Sequence, residues 1–148
     1  MIDLTGSVIV RTRDYAPITA ICAERVGTED RGKAWRAPMV ICVDEGASRS
    51  PGSGRAANAR IGLQVHTFAF RCYGQDRAQA AQLARLVSDL WHECGVIEGT
   101  GDPPVLIRNA WADLIAKPIK DPGLRRPYAT CYVDVLGGAE PKGVVPMA

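Results

Sequence analysis

Between residues 75 and 94 the apolar side chains recur at helical spacing. Ala80, Leu83, Ala84, Val87, Leu90, Trp91 and Cys94 fall three and four apart, while Gln79, Gln82, Arg85, Ser88, Asp89, His92 and Glu93 take the opposite face. Gly95 marks the end of this predicted helix. Removing Leu83, Val87, Leu90 and Trp91 from water is worth about 1.5–3 kcal/mol each, so the stripe has to be covered, and a sheet is the natural cover. The preceding segment supplies one. From Ile61 to Cys72, Ile61, Leu63 and Val65 alternate with His66, Phe68, Phe70 and Cys72, the two-residue period of a strand with apolar side chains on both faces. Such a strand is central in its sheet, or has one face closed by another subunit.

The remaining elements are read around this pair. Asp3 to Arg13 is expected to be helical, as is the stretch opened by Asp14 and Pro17, where Ile18, Ile21, Cys22 and Val26 share one face and Gly27 closes the helix. Met39 to Val43 has the length of a buried strand ending at Asp44-Glu45-Gly46. Gly46 to Asn58 is rich in Gly, Ser, Pro, Ala and Arg with no apolar period, which predicts a long loop, either functional or disordered. After a turn from Glu98 to Pro104, residues Val105 to Lys117 and Tyr128 to Leu136 form a predicted long hairpin. In its second strand Ala129, Cys131, Val133 and Val135 point one way and Tyr128, Thr130, Tyr132 and Asp134 the other. The expected fold is α+β: a largely antiparallel β-sheet with helices packed on one face, in the order α-β-β-α-β-β. A chain of 148 residues with 47% hydrophobic residues fills one domain with its own core, taken as 1–136, and leaves 137–148 as a flexible C-terminal tail.

Chemistry is sparse in this pattern. Eighteen Lys plus Arg against 16 Asp plus Glu leave +2, too little to hold phosphate or anionic lipid by net charge. No stretch approaches the roughly 18 apolar residues of a membrane span, and no basic region followed by an apolar run opens the chain, so the expectation is a soluble, unsecreted protein without a membrane partner. Cys22, Cys42, Cys72, Cys94 and Cys131 stand 20 or more residues apart without CxxC or CxxH, which argues for buried thiols over a zinc site or a disulfide framework. Only His66 and His92 are of a residue type that could act as a base near neutrality: His66, beside Phe68 and Phe70, reads as a core or interface residue, and His92 as a solvated one. The motifs GxSxG, HExxH, HxH and GxxxxGK[ST] do not occur. Gly52-Ser53-Gly54-Arg55-Ala56-Ala57 matches GxGxxA but lacks a strand directly before it and a helix opening on it, so it is read as a surface loop. Asp113 and Asp134 are read as strand-edge carboxylates without a catalytic role. The expectation is therefore no enzyme, no catalytic or metal residues and no cofactor. The basic clusters, Arg49, Arg55 and Arg60 with Ser50 in the long loop, and Lys120, Arg125 and Arg126 in the hairpin, are the candidate interface or lumen residues.

The pattern resembles a known family. Arg25-Val26 closing the N-terminal helical part, Ala37-Pro38-Met39-Val40-Ile41 leading into the first strand, the long loop, Gln64-Val65-His66-Thr67-Phe68, Tyr73-Gly74-Gln75-Asp76 with Ala80, Leu83-Ala84, Val87 and Leu90, and the closing Tyr132-Val133-Asp134-Val135 look like the core of the tail-terminator (tail-completion) proteins of long-tailed phages and gene transfer agents. The resemblance spans roughly residues 15 to 136. It implies a structural virion protein that closes into a homo-oligomeric, usually hexameric, ring at the head-proximal end of the tail tube. The ring would be assembled in the bacterial host cytoplasm and located in the virion neck. The implied partners are further copies of the chain, the tail tube protein and the head-tail connector protein, with non-specific contact to DNA passing through the lumen. Two other readings remain: another head-tail neck or connector completion protein, and a small ligand-binding or enzymatic α+β domain.

Overall fold

The computed structural model describes residues 4–28, 36–49, 64–92, 97–98, 105–115, 117–121, 123 and 126–139. In chain order the elements are α1 (Thr5–Asp14), α2 (Ala16–Cys22), β1 (Val26–Gly27), β2 (Met39–Arg49), β3 (Gln64–Tyr73), α3 (Arg77–Trp91), β4 (Ile97–Glu98), β5 (Val105–Ile115), β6 (Ile119–Lys120) and β7 (Pro127–Ala139). The sheet runs β1-β2-β3-β7-β5-β4, with β6 also paired to β7. Among the described residues only the β1–β2 pair is parallel and every other ladder is antiparallel. The α+β architecture expected from sequence is therefore present, with three two-residue strands added to the order.

One face of the sheet is buried under the helices. Val40 and Cys42 of β2, Phe68, Phe70 and Cys72 of β3, and Ala129, Cys131, Val133 and Val135 of β7 form a single core with Leu4, Val8, Ile18 and Cys22 from the N-terminal helices and with Ala80, Leu83, Ala84, Val87 and Trp91 of α3. Of the predicted stripe, Ala80, Leu83, Ala84, Val87 and Trp91 are buried as expected and Leu90 is half-buried against the same core. Asp76 caps α3 by accepting the Gln79 backbone N–H at 2.8 Å, and the Gln79 side chain reaches back to accept the Gln75 N–H at 2.7 Å. This reciprocal arrangement resembles a capping box shifted by one residue. At the other end the Trp91 indole N–H donates to Thr12 Oγ1 at 3.0 Å, and that hydroxyl donates to the Val8 carbonyl at 2.8 Å. Arg11 lies over the Trp91 ring at 5.3 Å, so α1 is pinned to the end of α3 by a satisfied buried network and a cation–π contact.

Several boundaries differ from the sequence reading. The second helix stops at Cys22, not at Gly27: Ala23 turns to φ 52°, and Val26, buried as expected, belongs to β1. The second strand does not end at Asp44-Glu45-Gly46 but passes a β-bulge between Asp44 and Gly46 and continues to Arg49, paired with Gln64. The first residues assigned to the long loop are thus strand; the remainder of that stretch, with Ser50, lies outside the described residues. The GxGxxA segment also lies outside them, although β2 ends closer to it than expected. β3 is described from Gln64, and β7 runs past Leu136, with Gly137 opposite Gln64 and Ile107, so the first residues assigned to the tail close the sheet. α3 spans Arg77–Trp91 within the predicted 75–94, and Cys94 and Gly95 lie outside the described residues.

Candidate functional site

The sheet face turned away from the helices carries its own apolar cluster. Met39, Ile41 and Tyr73 are buried there with Ala37, Val43 and Tyr128 packed around them, and no described helix lies on this side. Tyr73 and Tyr128 stand opposite each other in the β3–β7 ladder with ring centroids 5.1 Å apart. The Tyr73 hydroxyl donates to Asp121 Oδ2 at 3.0 Å, tying the turn after β6 to the sheet. Further along this face Thr67 donates to Asp134 Oδ1 at 2.6 Å, so Asp134 is a partnered, half-buried acceptor. The sequence signal for this cluster was the run Met39 to Val43, apolar in both phases.

The candidate residues divide between the two ends of the sheet. Lys120 on β6 and Arg126 just before β7 are exposed, and the Asp121 N–H donates to the Arg126 carbonyl at 2.9 Å, closing the hairpin beside them. Arg49 is the last residue of β2, level with Gln64 and Gly137, whereas Lys120 pairs with Pro127 near the opposite end of β7. At about 3.3 Å per residue the ten residues of β3 separate these positions by roughly 30 Å. Arg49 therefore stands at the opposite end of the sheet from Lys120 and Arg126. Arg55, Arg60 and Arg125 lie outside the described residues, as does Ser50.

The two histidines are not brought together. His66 is buried on the helix-facing side of β3, its ring 6.2 Å from that of Phe68 with 13° between the planes, while His92 is exposed at the C-terminus of α3. Among the described residues no three His, Cys, Asp or Glu gather to hold a metal ion. No described helix is long and apolar enough to cross a membrane.

Cys22, Cys42, Cys72 and Cys131 are buried and not in disulfides. Burial pushes the Cys22 thiol up to about 11, against a smaller downward pull from Arg25, and pushes Cys131 up to about 12. Cys72 is raised well above 9.0 by burial, with Cys131 and Cys22 adding to it. In the unfolded chain these thiols ionise near their ordinary value, so folding keeps protons that the unfolded state releases. Their contribution is full below about pH 9.0 and is lost as pH rises toward about 11 and 12. Urea midpoints are accordingly expected to fall above pH 9.0, and peptide mass mapping should find these three thiols unmodified by iodoacetamide at pH 8 until denaturant is added. Labelling of the native protein at any of the three would contradict the packing of the core.

No protein-family model matches the chain, and no curated protein matches it either.

Proposed function

We propose that this chain is a ring-forming tail terminator, a structural virion protein that caps the head-proximal end of the tail tube and joins it to the head connector. The observation that supports the reading is the architecture, a mostly antiparallel sheet whose one side is filled by the protein's own helices and whose two outer edges carry, among the described residues, only two-residue strands. A subunit of this kind meets its neighbours by heterologous contacts, which close into a ring when the rotation permits. Hexamers, the tail tube protein and the connector as partners, and DNA passing through the lumen follow from the resemblance described above.

Native mass spectrometry and electron microscopy of the purified protein test this. Annular particles with six-fold symmetry are expected, and rings added to polymerising tube protein should stop its growth. A stable monomer at tens of micromolar that leaves tube growth unchanged would refute the proposal.

A ring lumen repeats a few charges per subunit into a positive collar, whereas one subunit holds few. Isolated subunits are therefore expected to bind duplex DNA negligibly at physiological salt. Replacing Arg49, Arg55, Arg125 and Arg126 by Glu should leave the melting transition intact while lowering DNA retention in particles. Tight, sequence-dependent binding by single subunits would instead require dedicated base-reading side chains and would contradict this role.

A further inference from the structure

We infer that copies of this chain join edge to edge, β2 of one subunit pairing antiparallel with β5 of the next through residues 42–48 and 109–115. The inference rests on the ring reading and specifies the surface that closes the ring. It comes from the register of the sheet. β1 covers the outer edge of β2 only at Val40 and Ile41, and β4 covers the outer edge of β5 only at Leu106 and Ile107. Among the described residues no strand pairs with either edge beyond those positions.

The two uncovered windows lie at the same height. Followed across β3 and β7, Cys42 is level with Ile115, Val43 with Leu114, Asp44 with Ala112, Gly46 with Trp111, Ala47 with Ala110 and Ser48 with Asn109. Because β2 and β5 run in opposite directions, moving one copy sideways by the width of the sheet sets the windows against each other as an antiparallel pair without a shift along the strands. The short strands then fall at the ends of the contact. β4 of one copy lies in the line of β2 of the next with Ile97 at the level of Arg49, so the pairing ends at Ser48 and Arg49 has to turn aside. β1 meets the break at Ala129 and Thr130, two residues of β7 left without a strand partner on that side between Ile115↔Cys131 and Ile119↔Tyr128. That break has the length of β1.

The irregularities match as well. β2 bulges between Asp44 and Gly46, β5 between Ala112 and Leu114, and both bulges adjoin the single Asp44–Ala112 level. A bulged edge carrying exposed Asp44 and Glu45 pairs poorly with an ordinary flat strand, which guards it against indiscriminate association. An edge bulged at the adjoining level is its complement. Ile115, one of two large apolar side chains exposed among the described residues, sits at one end of this window.

Ser48 and Asn109 provide the test. Residues directly opposite in an antiparallel pair have Cα atoms about 4.5–5.5 Å apart, inside the range a disulfide spans. In a glutathione redox buffer, mixed Ser48→Cys and Asn109→Cys variants should form covalent dimers and nothing larger. A chain carrying both substitutions should form multimers up to the closed ring, judged by non-reducing electrophoresis against the unsubstituted protein. Val43→Cys mixed with Asn109→Cys, which lie at opposite ends of the window, should remain unlinked. Rings in native mass spectrometry of the unsubstituted protein without Ser48–Asn109 cross-links would overturn this interface and leave the ring standing. Monomers alone, with no cross-links, would overturn both.

Discussion

Leu83→Asp is expected to yield no soluble folded protein. Leu83 is fully buried between α3 and the sheet, surrounded by the aliphatic, aromatic and cysteine side chains of the core. Removing the leucyl packing alone costs about 2–5 kcal/mol, and placing a carboxylate there adds a desolvated charge without a partner. The sum reaches the whole stability of an ordinary domain, about 5–15 kcal/mol. Gln82→Asp, one residue away on the exposed side of the same helix, should change stability by about 0.5 kcal/mol or less. Soluble expression and circular dichroism melts decide the matter. Equal behaviour of the two variants would mean that α3 presents a different face to the sheet.

The second large effect is expected at Gly74, where β3 turns into α3. A methyl group on this residue would overlap the Ala80 backbone nitrogen and lie 2.8 Å from the Asp76 carbonyl oxygen, so the obstacles are main chain and cannot rotate away. The Gly74 N–H also donates to the Pro127 carbonyl at 3.1 Å, holding the turn against the start of β7. Gly74→Ala must therefore move the first turn of α3 or break that bond. A loss of about 2–4 kcal/mol is expected, at and above the upper end of ordinary overpacking costs. Gly74→Val should not fold. A chemical-denaturation series in which Gly74→Ala matches the unsubstituted protein would show that the helix start is free to shift.

What was legible in the sequence was whatever repeats. The stripe of α3 and the alternation Ala129, Cys131, Val133, Val135 mark buried faces because each carries enough turns or residue pairs to establish a period, and both are buried as read. β1, β4 and β6 have two residues each and therefore no period at all. Gly46 to Arg49 has the composition of a loop and becomes strand because β3 offers it a ladder, a tertiary cause that local propensity does not record. The second helix was overextended because Val26 falls on the apolar spacing of Ile18 and Cys22, while the left-handed turn at Ala23 that ends it has no glycine to announce it. Among the candidate residues, Lys120 and Arg126 are exposed as their hairpin setting implied. The matching edge windows were out of reach, since they depend on the register of four strands at once.

β7 is the keystone of the sheet: it lies between β3 and β5, takes β6 at its start and packs beneath α3. The strands made before it form two paired groups, β1-β2-β3 and β4-β5, and the separate β6, with no ladder joining them among the described residues. Until residues 127–139 leave the ribosome, each group exposes one open edge that the complete sheet covers. A nascent chain or a product truncated before Pro127 would thus be prone to aggregation and unable to present both outer edges on one sheet. The sheet is therefore completed only by the last strand to be synthesised.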